Sequence, residues 1–278
     1  MSAALDALGG LAYGLLGLWV GSLLGLAADR LPRGQSLRAQ SRCDWCGYTL
    51  ALRDRMPVIS YLRLRGRCRT CAAPIGARTL IVELATGALY LLLWVVFGPT
   101  LRLLLNTVYV SVLVLVYVID VEHHLVLSVV IVPAILLSIL AVPLQLLIRP
   151  PASLYISWLA RVLAGASIPL PRLAMISQGL GLLCGFGIFW LIWRLNPRGM
   201  GYGDVRLAAF VGLISGFPGA LYTVYGAILL GGLVAIALIV RWGKAALKRY
   251  IAFAPFLVIA ALVVLILGDQ LAALYLAR

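Results

Sequence analysis

Acidic residues are scarce in this sequence. Nine Asp and Glu stand against 23 Lys and Arg, and charged residues fill only 12% of 278 positions. A soluble domain carries about twice that charged fraction. The shortage excludes an ordinary solvated surface over most of the chain. Alternating apolar and polar strand patterns are missing, which excludes a membrane barrel. A Gly-rich nucleotide fingerprint and an internal repeat are also missing. No basic residue precedes the first apolar run, only Asp6. A cleavable secretory signal has a positive start, so the first run is expected to be a retained helix.

What is present is hydrophobic: 63% of residues, with a mean hydropathy of +1.06. Apolar runs recur at lengths of about 17–25 residues, which matches a crossing of roughly 30 Å of hydrocarbon. Lipid demands that a spanning segment satisfy its own backbone, and a helix does so. The fold class is therefore all-α, a polytopic membrane protein with about eight transmembrane helices. The expected spans are 8–28, 79–97, 101–119, 125–148, 174–194, 204–216, 219–241 and 250–268. Residues 149–173, rich in proline, are expected to form a loop with a short interfacial helix. Tyr155 and Trp158 suit the headgroup region there.

With these spans, 18 basic residues fall on one side and five on the other. The positive-inside rule assigns the richer side to the cytoplasm, with both termini outside. The net charge of +14 is thus an orientation signal, and a nucleic-acid partner is not expected.

This topology puts two aspartates at one membrane face. Asp120 lies in "VYVIDVEHHL" at the end of the third span. Asp204 lies in "RLNPRGMGYGDVRLAAF" at the start of the sixth. An isolated Asp at a helix start merely complements the macrodipole. Gly199, Gly201 and Gly203 argue for more, since they permit close backbone approach beside the carboxylate. Two aspartates in one site suit aspartyl protease chemistry, in which one activates water and the other polarises a carbonyl. Glu83 lies about one turn into the second span. It suits either a substrate amine or a pairing with Arg78 or Arg65, and the sequence leaves both open. His123 and His124 are assigned no site, because adjacent histidines without a carboxylate or cysteine partner rarely hold a metal.

Cys43, Cys46, Cys68 and Cys71 read C-x2-C-x21-C-x2-C within one cytoplasmic loop. Two such pairs match a tetrahedral thiolate zinc site. The rival is two disulfides, which a reducing compartment disfavours. Four thiolates leave no open position, so the zinc is expected to be structural. Cys184, alone in the fifth span, reads as a buried apolar residue. The loop's arginines also suit contact with anionic membrane lipids. Three segments follow: a first helix over 1–28, a zinc-binding loop over 29–78 and a membrane core over 79–278.

"GYGD" followed by "VRLAAFVGL" resembles the G-x-G-D signature of the type IV prepilin peptidases, a family of intramembrane aspartyl proteases. "VIDVEHHLV" resembles the segment that carries the family's first catalytic aspartate. "GSLLGLAADRLPRG", the paired cysteines, "MPVISYLRLRGRC", "APIGARTLIVELATG" and "FAPFLVIAAL" follow in the family's order. The resemblance implies Asp120 and Asp204 as the catalytic dyad. It implies leader cleavage of type IV prepilins or type II secretion pseudopilins at the cytoplasmic face of the bacterial inner membrane. It also implies N-methylation of the new amine with S-adenosylmethionine, a function that goes with the cysteine loop. Two alternatives stay open: a peptidase without methyl transfer, and a transporter or scaffold. A transporter would carry its carboxylates near the bilayer midplane, whereas these lie at the edge. Oligomeric state and the methyl-donor site are not readable.

Overall fold

A computed structural model describes residues 3–38, 40–43, 45–51, 54, 56–147, 170–197, 199–243 and 252–276. It is α-helical. Among the described residues the helices are α1 (Ala3–Arg30), α2 (Ile59–Arg63), α3 (Ala77–Phe97), α4 (Leu101–His123), α5 (Ser128–Leu147), α6 (Leu170–Leu195), α7 (Tyr202–Ser215), α8 (Gly219–Trp242) and α9 (Ala254–Leu276). Five of them, α1, α3, α4, α6 and α8, are long and apolar enough to cross a membrane. Shorter apolar stretches lie in α5 and α9. The expected interfacial helix with Tyr155 and Trp158 lies outside the described residues. So do Arg149, Arg161, Lys244, Lys248 and Arg249.

The chain divides into two compact units, Met1–Ile119 and Asp120–Arg278. In the first, α1 and α3 pack side by side. Small residues set their distance. A Cβ built on Gly17 would lie 2.7 Å from the Tyr90 side chain and 2.9 Å from Gly87 Cα. A Cβ on Gly21 would lie 2.9 Å from Glu83 Cα. Contact this close is how helices gain van der Waals packing where lipid offers no hydrophobic drive. Tyr90 is buried, and its hydroxyl shares a hydrogen bond with Ser111 at 2.8 Å.

In the second unit the centre is α7, which packs against α5, α6, α8 and α9. Its 14 residues rise only about 21 Å, short of the roughly 30 Å of a hydrocarbon core. Every residue from Asp204 to Leu213 except Arg206 is buried. Such an all-round buried helix needs a neighbour on each face. Its tightest contact is with α6. A Cβ on Gly212 would stand 2.2 Å from the Gly181 carbonyl oxygen, and one on Gly185 would stand 2.3 Å from that of Ala208. Gly181 and Gly185 form a G-x-x-x-G pair, the spacing that lets two helix backbones touch. Gly216 ends α7 at φ 63° and donates its N–H to Gly212 O at 3.0 Å. Ser177 on α6 holds the next residue, accepting the Phe217 N–H at 3.1 Å and donating to its carbonyl at 2.8 Å.

Large apolar side chains face outward. Leu8, Leu11 and Leu15 of α1 and Ile228, Leu233 and Val240 of α8 are all exposed. In water such faces drive association; a bilayer covers them without penalty.

Candidate functional site

The polar chemistry gathers at two places, one in each unit. In the second unit, Asp120 and Asp204 are 4% and 8% exposed, unusual burial for aspartate. They come from distant points in the chain and lie within electrostatic reach of each other. Asp204 occupies the first turn of α7, where its N–H donates to Gly201 O at 3.1 Å. The helix dipole favours a carboxylate there. Among the described residues, Asp120 Oδ2 is buried without a hydrogen-bond partner. A buried polar oxygen left without a partner is costly, and such atoms are candidates for contact with water or substrate.

The glycines around Asp204 have separable duties. A Cβ on Gly203 would lie 2.8 Å from Val126 Cβ. Glycine there lets the start of α7 approach the 124–127 link that follows α4. A Cβ on Gly201 would stand 3.9 Å from Asp204 Oδ2, an ordinary contact distance, so this glycine borders the carboxylate without being forced by it. Beyond the aspartate, Arg206 lies over the Tyr202 ring at 4.8 Å and donates to Ser128 Oγ. Tyr202 in turn packs edge-on against Trp193. These contacts tie the α7 start to α5 and α6.

In the first unit, the four cysteines form two copies of one turn. The Cys43 N–H donates to Tyr48 O at 2.9 Å, and the Cys68 N–H donates to Ala73 O at 2.8 Å. Antiparallel bridges pair Arg42 with Thr49 and Arg67 with Pro74. Gly47 and Ala72, which follow the second cysteine of each turn, both have positive φ, 70° and 55°. All four Sγ atoms lie within 4.8 Å of one another. Cys43–Cys71 and Cys46–Cys68 are 3.8 Å and 4.0 Å apart. A disulfide needs about 2.05 Å. A tetrahedron of sulfurs about 2.3 Å from a central zinc has edges of about 3.8 Å. The donor set therefore fits zinc. Backbone N–H groups of Cys71 and Thr70 stabilise the Cys68 thiolate and bring its pKa down to about 6. The Ala73 N–H pulls Cys71 downward, but burial and the neighbouring sulfurs outweigh it and push that thiol up to about 12.

Two further ties were not foreseen from the sequence. Asp54 accepts two hydrogen bonds from Arg69, at 2.9 and 2.5 Å, and one from Tyr48 at 3.2 Å. Burial alone would raise its carboxyl, but Arg69 overrides that and holds it below the ordinary value. This pairing binds the first cysteine turn to the second. Glu83 takes neither expected arginine as its hydrogen-bond donor here: its Oε2 accepts the Val58 N–H at 2.7 Å. Val58 sits at φ 58°, a conformation that a β-branched residue rarely adopts. Glu83 is 4% exposed, so it anchors the 56–58 turn against α3. Arg78 pairs with Asp29 at 2.7 Å.

His124 stands beside the Asp120 end of α4, where its N–H donates to Asp120 O at 2.9 Å. Among the described residues, the four cysteines are the group of metal-ligating side chains close enough to share an ion, and neither histidine joins it.

Two protein-family models match this chain. One, described as the bacterial peptidase A24 N-terminal domain, matches residues 15–97. The other, described as the type IV leader peptidase family, matches residues 107–236. Curated relatives named prepilin leader peptidase/N-methyltransferase are similar along most of the chain. That of Myxococcus xanthus is 32% identical over 239 residues, covering 83% of this chain and 63% of its own length. That of Stutzerimonas stutzeri is 30% identical over 287 residues, covering 94% and 92%. That of Bacillus subtilis is 26% identical over 262 residues, covering 94% and 95%. No solved structure matches.

Proposed function

Because the chain belongs to the type IV leader peptidase family, we propose that it removes the leader of prepilin-type precursors by means of Asp120 and Asp204, then N-methylates the exposed amine. The observation that carries the proteolytic half is the burial of two aspartates within electrostatic reach of each other. Two buried carboxylates that interact hold one proton between them more readily than none. The ionised member takes a proton from water as the water oxygen attacks the scissile carbonyl carbon. The protonated member donates a hydrogen bond to the carbonyl oxygen. Collapse of the tetrahedral species sends a proton to the leaving amine and frees the new N-terminus. The pair titrates as a unit, and the two roles are not divided between the residues.

We read eight membrane crossings, with the dyad at the cytoplasmic edge of an inner-membrane protein. The substrates are type IV prepilins or type II secretion pseudopilins, with a basic leader in the cytoplasm and an apolar helix in lipid. That placement suits the expected cleavage position, the junction between the two. The cysteine loop of 29–78 holds one structural zinc through Cys43, Cys46, Cys68 and Cys71. The sulfur spacing supports this, and four thiolate ligands leave the metal no position for water. S-adenosylmethionine supplies the methyl group in the second step.

The test is incubation of the purified enzyme with a prepilin, with and without S-adenosylmethionine, followed by intact mass of the product. Cleaved and methylated product supports the whole reading. Cleaved product that stays unmethylated with the donor present removes the second step. Uncleaved precursor removes the first.

A further inference from the structure

Between the two cysteine turns lies a stripe of exposed apolar side chains that neither proposed reaction step uses. Met56, Ile59 and Leu62 follow one another at a spacing of three and are 45%, 62% and 64% exposed. Ile59 and Leu62 stand about one turn apart on α2, so they share a face. Ser60 between them is buried. The helix thus packs its serine on the fold and turns isoleucine and leucine outward, the reverse of a helix in water. The segment is built rather than loose. The Gly66 N–H donates to Tyr61 O at 2.9 Å and the Arg65 N–H to Leu62 O at 3.1 Å, with Arg65 at φ 51°. This paired closure is a Schellman cap, which fixes where α2 stops. At the other end, Glu83 Oε2 accepts the Val58 N–H at 2.7 Å.

Glu83 also gives the stripe a depth. Both α1 and α3 are long and apolar enough to cross a membrane, and the Asp29–Arg78 ion pair marks their adjoining charged ends. Glu83 lies five residues beyond Arg78, about 7.5 Å further along the helix axis. The turn that leads into α2 is therefore held that far inside the charged edge of the spans. Interfacial helices bury their apolar face to a depth of about 5–10 Å. Past Leu62 the chain turns basic: Arg63, Arg65 and Arg67 are all exposed. Between Gly47 and Arg67 the sequence has one acidic residue, Asp54, and Arg69 holds it. An apolar stripe followed by unopposed guanidinium groups suits acyl chains below and phosphates above. We propose that Ile59 and Leu62 dip into the acyl edge of a phospholipid leaflet, that Glu83 holds them there through Val58, and that Arg63, Arg65 and Arg67 take anionic headgroups. Cys68 follows Gly66 by two residues, so the second cysteine turn is seated on the bilayer at a fixed height. The proposal requires neither cleavage nor methyl transfer.

The test replaces Leu62 by the fluorescent amino acid Anap in the full-length protein, held in phosphatidylcholine nanodiscs, with the same replacement of Ile59 as a second probe. An unfolding temperature near that of the wild type shows that the fold is kept. Lipid with a nitroxide near the headgroup end of its acyl chain should quench the probe more strongly than lipid labelled on the headgroup or at the far end of the chain. Aqueous iodide should quench it little. Glu83→Ala frees the turn and should reduce the acyl quenching, while Glu83→Gln keeps an acceptor for Val58 and should keep the quenching. Labelled phosphatidylglycerol, added as a minor lipid, should quench several-fold more than equally labelled phosphatidylcholine. Arg63→Gln with Arg65→Gln should remove that preference, as should high salt. Strong iodide quenching without lipid quenching would put the face in water and overturn the proposal. Iodide quenching that an added prepilin relieves would also overturn it, because the face would then dock protein. Unchanged acyl quenching in Glu83→Ala would overturn the anchor, and equal quenching by the two labelled lipids would overturn the headgroup contact.

Discussion

Replacing Gly212 by alanine should damage catalysis without touching a catalytic group. The new Cβ would stand 2.2 Å from the Gly181 carbonyl oxygen and 2.9 Å from its carbon. Ordinary contact begins near 3.4 Å, so the two helices must part by roughly 1 Å. Neither neighbour is a flexible side chain that can swing aside. Overpacking of this kind costs about 1–3 kcal/mol. Alanine's better helix propensity returns at most about 1 kcal/mol. Asp204 lies eight residues earlier on the same helix, about 12 Å away along its axis. A packed helix moves as a rigid element, so the displacement reaches the carboxylate. A misplacement of about 1 Å costs on the order of 100-fold in turnover. The assay is prepilin cleavage in proteoliposomes, read as kcat and KM separately, beside a thermal unfolding curve. The expected result is a large fall in kcat with a modest fall in Tm. Gly187→Ala is the control, because nothing lies within 4 Å of a Cβ there; it should leave both unchanged or raise Tm slightly. Wild-type kcat in Gly212→Ala would refute the reasoning, since it would mean that α6 and α7 separate without moving Asp204.

The other expectations follow from single contacts. Asp120→Asn and Asp204→Asn should each abolish cleavage while preserving expression and membrane insertion, and near-normal turnover in either would remove that residue from the dyad. Metal analysis should give about one zinc per chain; Cys43→Ser with Cys46→Ser should lose it, and methyl transfer should fall further than cleavage. Stoichiometric disulfides in protein from the cytoplasm would count against that site. Glu83→Gln keeps an acceptor for the Val58 N–H and should hold Tm close to wild type. Glu83→Ala leaves that part-buried donor unmet and should cost about 1 kcal/mol or more; equal stability of the two variants would show that the bond to Val58 carries no weight.

Much of this arrangement is legible in the residues because its signals are local. The expected spans coincide with the helices α1 and α3 to α9 to within a few residues at most of the described ends, since hydropathy is a property of the segment itself; five of these helices are long and apolar enough to cross a membrane. The same holds for the cysteine pairs, whose spacing already implies a shared centre, and for Asp204, flagged by the glycines next to it. What the sequence withholds is pairing between segments. The charge asymmetry leads to the expectation that Asp120 and Asp204 share one membrane face, but their distance depends on how helices choose neighbours in lipid. There, apolarity no longer ranks the partners, and close contact between small residues decides. Gly181, Gly185 and Gly212 were available as that signal. They pass unnoticed because a glycine in an apolar run lowers neither hydropathy nor span length.

Glu83, whose two readings the sequence leaves open, is hard to place for a related reason. A buried carboxylate suggests a charged partner when only side chains are counted. Its partner is a backbone N–H on a turn held at φ 58°, and backbone donors leave no mark on composition. The consequence reaches past Glu83 itself. A carboxylate that spends one oxygen on the backbone at 2.7 Å is fixed in place before any substrate arrives. That bond also restricts the second oxygen, which would lower the entropic cost of receiving an amine there. Structural and substrate-binding roles at this position therefore need not compete, and Glu83→Gln separates them: it should preserve Tm through the Val58 bond, while a rise in KM for the prepilin alone would expose the charge at work.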